Sequence, residues 1–326
     1  MSVTDEPTWD QRGPSISDLD WDQRGPSISD LDWNKLLERR ATDPSAVADA
    51  YAGRVRPKGF LSERGTVFLV AADHPARGSL ASGGEPMAMA DRRSLLARMV
   101  EALRHPDVDG VLGTPDIVEE LLLLGALEEK VVIGSMNRGG LDGATWTMDD
   151  RFTGYNAASI AACRLEGGKM LLRIDDQDAG TASTIEACAK AVSELAALEL
   201  VAMVEPLPYE RDENGALFLR KDAPALARAV TIASGLGTTS AYTWLKMPAC
   251  DDYETVFGST TLPCVVLGGV PSGDPASDLV SWGQTLSHPA VRGLVVGRSL
   301  LYPPGGDVGS AVHAAAEVLD TAKRAN

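Results

Sequence analysis

Residues 66–74 read TVFLVAADH, a short apolar run that ends in two ionisable side chains. The pattern recurs along the chain, because each apolar run is followed by a break rich in Gly, Pro or Asp and then by a helical stretch. Eight runs fit it, at 66–72, 110–113, 130–135, 169–174, 200–205, 241–247, 264–268 and 292–296. Strands that alternate with helices indicate a parallel sheet covered by helices. Eight such units, in close to the usual ~250 residues, predict an α/β fold of the closed (β/α)8 TIM-barrel type.

The stretches between most of these runs are amphipathic, at 91–104, 117–127, 156–165, 183–198, 223–234 and 275–286. The competing fold is a doubly wound open sheet. That fold typically carries a G-x-G-x-x-G motif directly after its first strand, and no such motif follows residue 72. The sequence therefore favours the barrel.

The N-terminal part of the chain carries an internal duplication. Residues 9–20 read WDQRGPSISDLD, and residues 21–32 repeat them without a change. Two copies are too few to build a repeat core, so we predict that residues 1–32 form a flexible or loosely docked polar extension. The alternative is a peptide that docks on a neighbouring subunit through its Trp, Ile and Leu residues. Helical composition at 33–40 and 44–51 then predicts N-terminal helices within residues 33–65, ahead of the barrel domain at 66–326.

Composition excludes several classes of partner. The chain of 326 residues has 46 acidic and 30 basic side chains, a net charge of −16, which argues against nucleic acid and anionic membranes as partners. No segment approaches ~18 uninterrupted apolar residues, and no signal peptide is recognisable. The four cysteines are widely spaced without metal-ligand spacing, so we expect reduced thiols and a cytoplasmic protein. A small phosphorylated ligand is still compatible with this charge, since a pocket can be locally positive.

One lysine stands in an apolar strand. Residues 241–248 read AYTWLKMP, and Lys246 lies among aromatic and aliphatic side chains. Burying an ammonium group is costly, so the site must either pair it with a carboxylate or lower its pKa. A neutral amine is the nucleophile that forms a Schiff base with a carbonyl group. The alternative is a structural charge held by ion pairs.

In a barrel, functional groups gather at the C-terminal ends of the strands. The candidates at those ends are Asp73, His74, Lys169, Arg173, Asp175, Glu205 and Lys246. Alternation along a strand places Trp244 on the same face as Lys246, and Lys169 on the same face as Arg173 and Asp175. Asp73 and Glu205 could move protons, and a second cation at Lys169 would favour a neutral amine at Lys246. A buried ion-pair network with no catalytic role is the alternative.

Glycines follow the last two predicted strands. Gly268 and Gly269 come after the seventh run, and Gly297 and Arg298 come after the eighth. Many barrels bind a phosphate between these two loops, on backbone N–H groups, and an arginine can add a bidentate contact. The sequence therefore predicts a phosphate site there.

Together these motifs resemble a known group of enzymes. The order ADH at 72–74, KMLLRID at 169–175, VEP at 204–206, WLKMP at 244–248, LGG at 267–269 and VGRS at 296–299 is similar to the DhnA/LacD/DeoC-type class I aldolases, which are (β/α)8 barrels. The resemblance spans roughly residues 55–320. It is closer still to an actinobacterial barrel family, similar to deoxyribose-phosphate aldolase, that is associated with inositol catabolism.

The resemblance implies a role for each matching residue. Lys246 corresponds to the Schiff-base lysine, Asp73 to the proton-transferring aspartate, and Glu205 and Lys169 to the groups near the imine. Gly268, Gly269, Gly297 and Arg298 correspond to the phosphate loops. Beside the resemblance, His74 and Trp244 are candidates for substrate contact; the alternatives are that His74 orients Asp73 through a hydrogen bond and that Trp244 fills a layer of the barrel. The resemblance also implies a homo-oligomer, and the chemistry needs neither metal nor cofactor. The acidic run at 175–178 offers carboxylates for Mg²⁺ as an alternative.

The chain departs from the group at three places: Pro75 follows His74, Arg173 replaces a frequent aromatic, and Val270 and Pro271 follow the glycine pair. Arg173, with Asp175 beside it, suggests a second anionic group on the substrate. This would suit cleavage of 2-deoxy-5-keto-gluconate 6-phosphate into dihydroxyacetone phosphate and malonate semialdehyde. The alternatives are a transaldolase or deoxyribose-phosphate-type aldolase, a catalytically silent sugar-phosphate-binding barrel, and an isomerase that uses Lys246 only as an electrostatic clamp.

Overall fold

The structure, a computed structural model, describes residues 27–324. Eight parallel strands form a closed barrel: β1 (Val67–Ala71), β2 (Gly110–Gly113), β3 (Val131–Ser135), β4 (Gly167–Ile174), β5 (Val201–Arg211), β7 (Thr243–Pro248), β8 (Cys264–Leu267) and β9 (Val291–Val296). Pairing of β4 with β5 closes the ring. A short strand, β6 (Leu217–Leu219), pairs antiparallel with the end of β5 and extends it as a hairpin. The predicted (β/α)8 barrel is confirmed.

Eleven helices lie in the described part of the chain: α1 (Asp30–Thr42), α2 (Ser45–Gly53), α3 (Arg92–Arg104), α4 (Pro115–Leu123), α5 (Ala157–Ala162), α6 (Ala179–Ala197), α7 (Ala223–Ser234), α8 (Tyr253–Phe257), α9 (Pro275–Leu286), α10 (Arg298–Leu301) and α11 (Val308–Arg324). Helices α3 to α7 and α9 fall on the six predicted amphipathic stretches. Among the residues described, no helix is long and apolar enough to cross a membrane.

The barrel interior changes from apolar to charged along the strands. On β1 the residues at alternate positions, from Val67 to Ala71, belong to an apolar cluster inside the barrel, and the next position in that series is Asp73. On β5 the same period leads from Met203, in that cluster, to Glu205. Side chains alternate along a strand, so every second residue points into the barrel. The residues that continue the apolar series, such as Asp73 and Glu205, therefore line the interior at the C-terminal end of the strands. The sequence thus places ionisable groups at the mouth above an apolar floor.

Trp244 belongs to that floor. Its ring packs edge-on against Phe60, with 4.9 Å between the ring centroids, and lies in the apolar cluster inside the barrel. Phe60 precedes β1 and is partly buried against that cluster. The structure therefore gives Trp244 a packing role, two positions before Lys246 on the same strand.

Helix α1 begins at Asp30, three residues before the predicted start at residue 33. Ser29 caps the helix by accepting a hydrogen bond from the backbone N–H of Asp32 at 3.1 Å, and Ile28 is fully buried. Arg93 on α3 donates to the carbonyl oxygen of Ile28 and pairs with Asp30. The end of the second repeat is thus docked on the barrel. The rest of the predicted extension, residues 1–26, lies outside the described residues.

Candidate active site

Four of the predicted residues meet at the barrel mouth, and all four side chains are buried. Lys246 Nζ lies 2.5 Å from Glu205 Oε1, while Lys169 pairs with the other oxygen of the same carboxylate. Lys169 Nζ also lies 3.3 Å from Asp73 Oδ2. The structure therefore links Asp73, Lys169, Glu205 and Lys246 in one continuous chain of charged groups.

A fifth charged group joins this chain, and we did not identify it as a site residue from the sequence. Arg138, in the loop after β3, forms an ion pair with Asp73 Oδ2 and donates from Nε to Ser135 Oγ at 3.2 Å. Ser135 in turn donates to Asp73 at 3.2 Å. Asp73 is thereby held by three partners, so its carboxylate is fixed in place.

The charges in this cluster do not balance when every group is ionised. Lys169, Lys246 and Arg138 carry three positive charges, and Asp73 and Glu205 carry two negative charges. Loss of one proton from a lysine makes the cluster neutral. An excess charge in a poorly solvated site is costly, so the arrangement favours one neutral amine.

Burial acts on both lysines in the same direction. It lowers the pKa of Lys246, and the nearby Arg138 and Arg298 add to this effect, whereas Glu205 opposes it. Burial and then Arg138 lower the pKa of Lys169 well below its usual value. Because the two amines share Glu205, a proton can pass between them through that carboxylate. Either lysine can therefore supply the neutral amine, at the cost of a short proton transfer.

Glu205 remains ionised between the two amines. Burial alone would raise its pKa, but Lys169, Lys246 and Arg138 outweigh burial and hold the pKa well below its usual range. Arg138 stays protonated as well, since burial lowers its pKa only to about 10. The cluster thus keeps an ionised base in direct contact with a lysine whose proton is weakly held, which Schiff-base chemistry requires.

His74 lies at the edge of this cluster. Its Nδ1 is 3.9 Å from Asp73 Oδ1, beyond hydrogen-bond distance, and is buried without a partner among the described residues. Burial, followed by Arg298 and Lys246, lowers the pKa of His74 well below its usual value. The imidazole is therefore neutral at pH 7, and it can accept or donate one hydrogen bond to a bound molecule.

The predicted phosphate-loop residues adjoin the cluster at β8 and β9. A Cβ at Gly297 would overlap the carbonyl oxygen of Ala71, and one at Gly268 would approach Val296 Cγ1 to 2.5 Å. Gly269 has φ +67°, a conformation that favours glycine. The local backbone therefore requires or favours glycine at each of these positions, and phosphate binding there remains a prediction.

Arg298 connects the two loops, since its Nη2 donates to the carbonyl oxygen of Gly269 at 3.3 Å. Its Nε is buried and has no partner among the described residues. The guanidinium is thus fixed at the barrel mouth with unused hydrogen-bonding capacity.

Arg173 is engaged by a residue that we did not single out from the sequence. Its Nε and Nη2 donate to the two carboxylate oxygens of Asp150 at 2.8 and 2.7 Å, and Nη2 also donates to Thr147 O. The guanidinium stacks over Tyr209, with 5.7 Å to the ring centroid. Arg173 thus organises the long loop between β3 and α5. Its Nη1 makes no hydrogen bond within residues 27–324 and could meet a substrate anion.

The acidic run after β4 is used by neighbouring protein groups. Asp175 Oδ1 accepts from the backbone N–H of Gln177 at 3.0 Å, and Asp178 caps α6. Arg211 and Arg228 pair with Asp178 and Asp176. Within residues 27–324, no group of three or more His, Cys, Asp or Glu side chains is arranged to hold a metal ion. Substrate binding by Asp175 remains a prediction.

Two solved aldolases share this fold at low sequence identity. An archaeal fructose-1,6-bisphosphate aldolase, with its catalytic Lys covalently bound to the carbinolamine intermediate of the substrate, is 15% identical with a TM-score of 0.59, covering 84% of this chain and 99% of that chain. A fructose-bisphosphate aldolase from Slackia heliotrinireducens is 13% identical with a TM-score of 0.60, covering 96% and 94%. No protein of curated function matches the sequence. The protein therefore shares the barrel fold of these two aldolases.

A much closer similarity covers almost the whole chain. Cgl0159 from Corynebacterium glutamicum, known from a crystal structure, is 48% identical with a TM-score of 0.88, covering 91% of this chain and 99% of that chain. A family model described as Cgl0159-like matches residues 65–316. The chain belongs to the Cgl0159-like family.

Proposed function

We propose that this protein is a metal-independent class I aldolase, an aldehyde-lyase that cleaves or forms a C–C bond in a phosphorylated keto sugar through a Schiff base. One observation carries the proposal. The buried Lys246 amine contacts Glu205, whose second oxygen binds Lys169, in a cluster that becomes neutral when one lysine loses a proton.

The proposed reaction uses each group in turn. The neutral Lys246 amine attacks the ketone carbon, and the carbonyl oxygen takes a proton from the Glu205–Lys169 relay to give a carbinolamine. Loss of water leaves an iminium ion. Asp73 or Glu205 then removes the proton of the hydroxyl group, the C–C bond breaks, and its electron pair enters the enamine as an aldehyde leaves. Protonation of the enamine carbon and hydrolysis of the iminium regenerate the amine.

Two features support this proposal over a purely structural network. The barrel fold is shared with an archaeal aldolase whose catalytic Lys is covalently bound to the carbinolamine intermediate of its substrate. A buried ion pair of purely structural function needs only equal numbers of charges, whereas this cluster holds an extra cation. Its net charge favours release of a proton from one amine.

The structure bears on the choice of substrate through Arg173. A keto sugar acid such as 2-deoxy-5-keto-gluconate 6-phosphate was suggested by Arg173, but two of its donors are bound to Asp150. We therefore propose the broader class of phosphorylated keto sugars and include the acid as one compound in the test. The comparisons carry no information on inositol catabolism, and the homo-oligomer and cytoplasmic location remain predictions.

Borohydride trapping tests the proposal. The protein would be incubated with dihydroxyacetone phosphate, or with a panel of phosphorylated ketoses and the keto acid, then reduced and digested for mass spectrometry. We expect an adduct on the Lys246 peptide and none in Lys246→Met. Lys190→Met is the matched control, because Lys190 is exposed on α6 and, among the described residues, its ion-pair partner is Glu194.

The outcome also separates the alternatives. If no compound in the panel gives an adduct on Lys246, the Schiff-base proposal is wrong and a silent binding barrel or an isomerase is favoured. An adduct on Lys169 would instead assign the nucleophile to the neighbouring amine. Transfer of the trapped unit to an added aldehyde, faster than its release, would identify a transaldolase. Trapping that persists in EDTA would be consistent with metal independence.

A further inference from the structure

Two arginines at the barrel mouth have no carboxylate partner among residues 27–324. Arg77 follows β1, in the 3-10 turn Pro75–Arg77, and Arg298 follows β9. Most other buried or half-buried arginines of the described chain pair with Asp or Glu, as Arg54, Arg138 and Arg173 do. Neither Arg77 nor Arg298 lies within 4.0 Å of a carboxylate oxygen in the part of the chain that is described.

The fold brings these two side chains to the same side of the mouth. Strands β1 and β9 are hydrogen-bonded neighbours, and the two loops that follow them touch, since a Cβ at Gly297 would lie 3.3 Å from His74 Cε1. Arg77 Nε donates to the carbonyl oxygen of Gly140 at 3.2 Å, and Arg298 Nη2 donates to that of Gly269 at 3.3 Å. Each guanidinium is thus anchored through one N–H group only.

The electrostatic surroundings make this arrangement unfavourable without an anion. Burial and then the charge of Arg77 lower the pKa of Arg298, and burial and then Arg173 lower the pKa of Arg77. Asp150 offsets part of this effect at Arg77 and Glu205 part of it at Arg298, while Asp142 acts on both; Asp142 is exposed and makes no ion pair with either arginine. Like charges that are half-buried together need a counter-ion to be stable.

Unpartnered polar atoms lie in the same two loops. Arg298 Nε, Ser299 Oγ and His74 Nδ1 are all buried without a hydrogen bond among the described residues. Buried polar groups in proteins nearly always have a partner, so a cluster of unpartnered ones indicates a bound group. Two guanidinium groups and a hydroxyl group are donors suited to the oxygens of a phosphate.

We propose that Arg77 is a phosphate-binding residue, and that Arg77 and Arg298 together hold the phosphate dianion of the substrate between the loops after β1 and β9. This assignment of a site rests on the proposed function for the identity of the substrate. The binding of a phosphate ion does not depend on Schiff-base chemistry and can be measured separately. A bidentate arginine from the β1 loop would select a phosphate monoester over an unphosphorylated sugar.

Titration with inorganic phosphate at constant ionic strength tests this site. We expect Arg77→Met to weaken phosphate binding about 10- to 100-fold, because a hydrogen-bonded charge pair contributes about 1.5–3 kcal/mol. Arg77→Lys keeps the positive charge but lacks the paired N–H donors of a guanidinium, so it should lose less phosphate affinity. Arg220→Met serves as the matched control, since Arg220 is exposed and pairs with Asp222 beyond the β5–β6 hairpin.

A second variant is expected to strengthen phosphate binding, so its result cannot be explained by a folding defect such as Arg77→Met could cause. Asp142→Asn removes the competing negative charge, and we expect it to strengthen phosphate binding several-fold. The proposal is wrong if Arg77→Met binds phosphate as wild type does, or if Asp142→Asn leaves the affinity unchanged. In the first case Arg77 only ties its loop to Gly140. Phosphate binding that persists in Lys246→Met supports the site even if borohydride trapping fails.

Discussion

Glu205→Gln is the most informative single change at the candidate site. The substitution keeps the size and shape of the side chain but removes the carboxylate that contacts Lys246 and Lys169. Three cations then face Asp73 alone. Since Glu205 is the main group that raises the pKa of Lys246, its loss must lower that pKa further.

The loss of stability in Glu205→Gln depends on whether a lysine stays charged without a partner or loses its proton. Removing one partner of a buried ion pair typically costs about 3–5 kcal/mol. A lysine can limit that cost by losing its proton. From an ordinary pKa of about 10.4, this costs no more than about 4.6 kcal/mol at pH 7. We therefore expect Glu205→Gln to reduce the free energy of unfolding by about 3–5 kcal/mol at pH 7.

The pH dependence identifies the mechanism. In wild type the cluster favours one neutral lysine; if Glu205→Gln makes the second lysine neutral as well, the variant takes up one more proton on unfolding than wild type does. Stability relative to wild type then rises with pH, by about 1.4 kcal/mol per unit between pH 7 and pH 9. Urea unfolding at several pH values measures this slope. Glu210→Gln, on the exposed hairpin, is the control and should show no slope.

Two results would refute this reasoning. A loss of stability that does not change with pH would mean that no lysine gives up its proton when Glu205 is removed. A loss below about 1 kcal/mol would mean that the lysines do not depend on this carboxylate. Either result would leave the proposed neutral amine without its physical basis.

Three further changes test other parts of the structure. Gly297→Ala places a methyl group against the carbonyl oxygen of Ala71 and should cost about 1–3 kcal/mol in thermal unfolding, whether or not the loop binds phosphate. Ile28→Ala truncates a fully buried side chain and should reduce the free energy of unfolding by about 2–5 kcal/mol. If Ile28 belonged to a flexible extension, the same substitution would leave the stability unchanged. Asp150→Asn leaves Arg173 without its counter-charge; we expect faster proteolysis of the loop at 138–155, and unchanged cleavage there would show that another contact holds it.

Much of the barrel could be predicted because its strands carry their own signals. The eight apolar runs coincide with the eight barrel strands to within a few residues. Period-two alternation also placed Lys246 and Trp244 on one interior face. The structure brings Asp73, Lys169, Glu205 and Lys246 into one chain of ion pairs, as expected for barrel strand ends, although their catalytic roles remain predictions.

The partners contributed by loops could not be predicted in this way. Arg138 lies beyond the end of β3, where strand alternation no longer tells which way a side chain points. Asp150 meets Arg173 across a loop without periodicity, 23 residues away in sequence. Ile28 belongs to a polar repeat whose composition gives no sign of a buried anchor. In each case the contact depends on tertiary placement, which a local pattern does not encode.

A count of the charges at the strand ends does not point to Arg138. From the strand ends alone, Lys169 and Lys246 balance Asp73 and Glu205, and a balanced buried network can be purely structural. The added guanidinium changes that conclusion, because it supplies Asp73 with its own partner. The cluster then holds one cation more than it has carboxylates, and either Lys169 or Lys246 can lose the proton. Under the proposed function, Arg138 is therefore the residue that allows Lys246 to be a neutral amine.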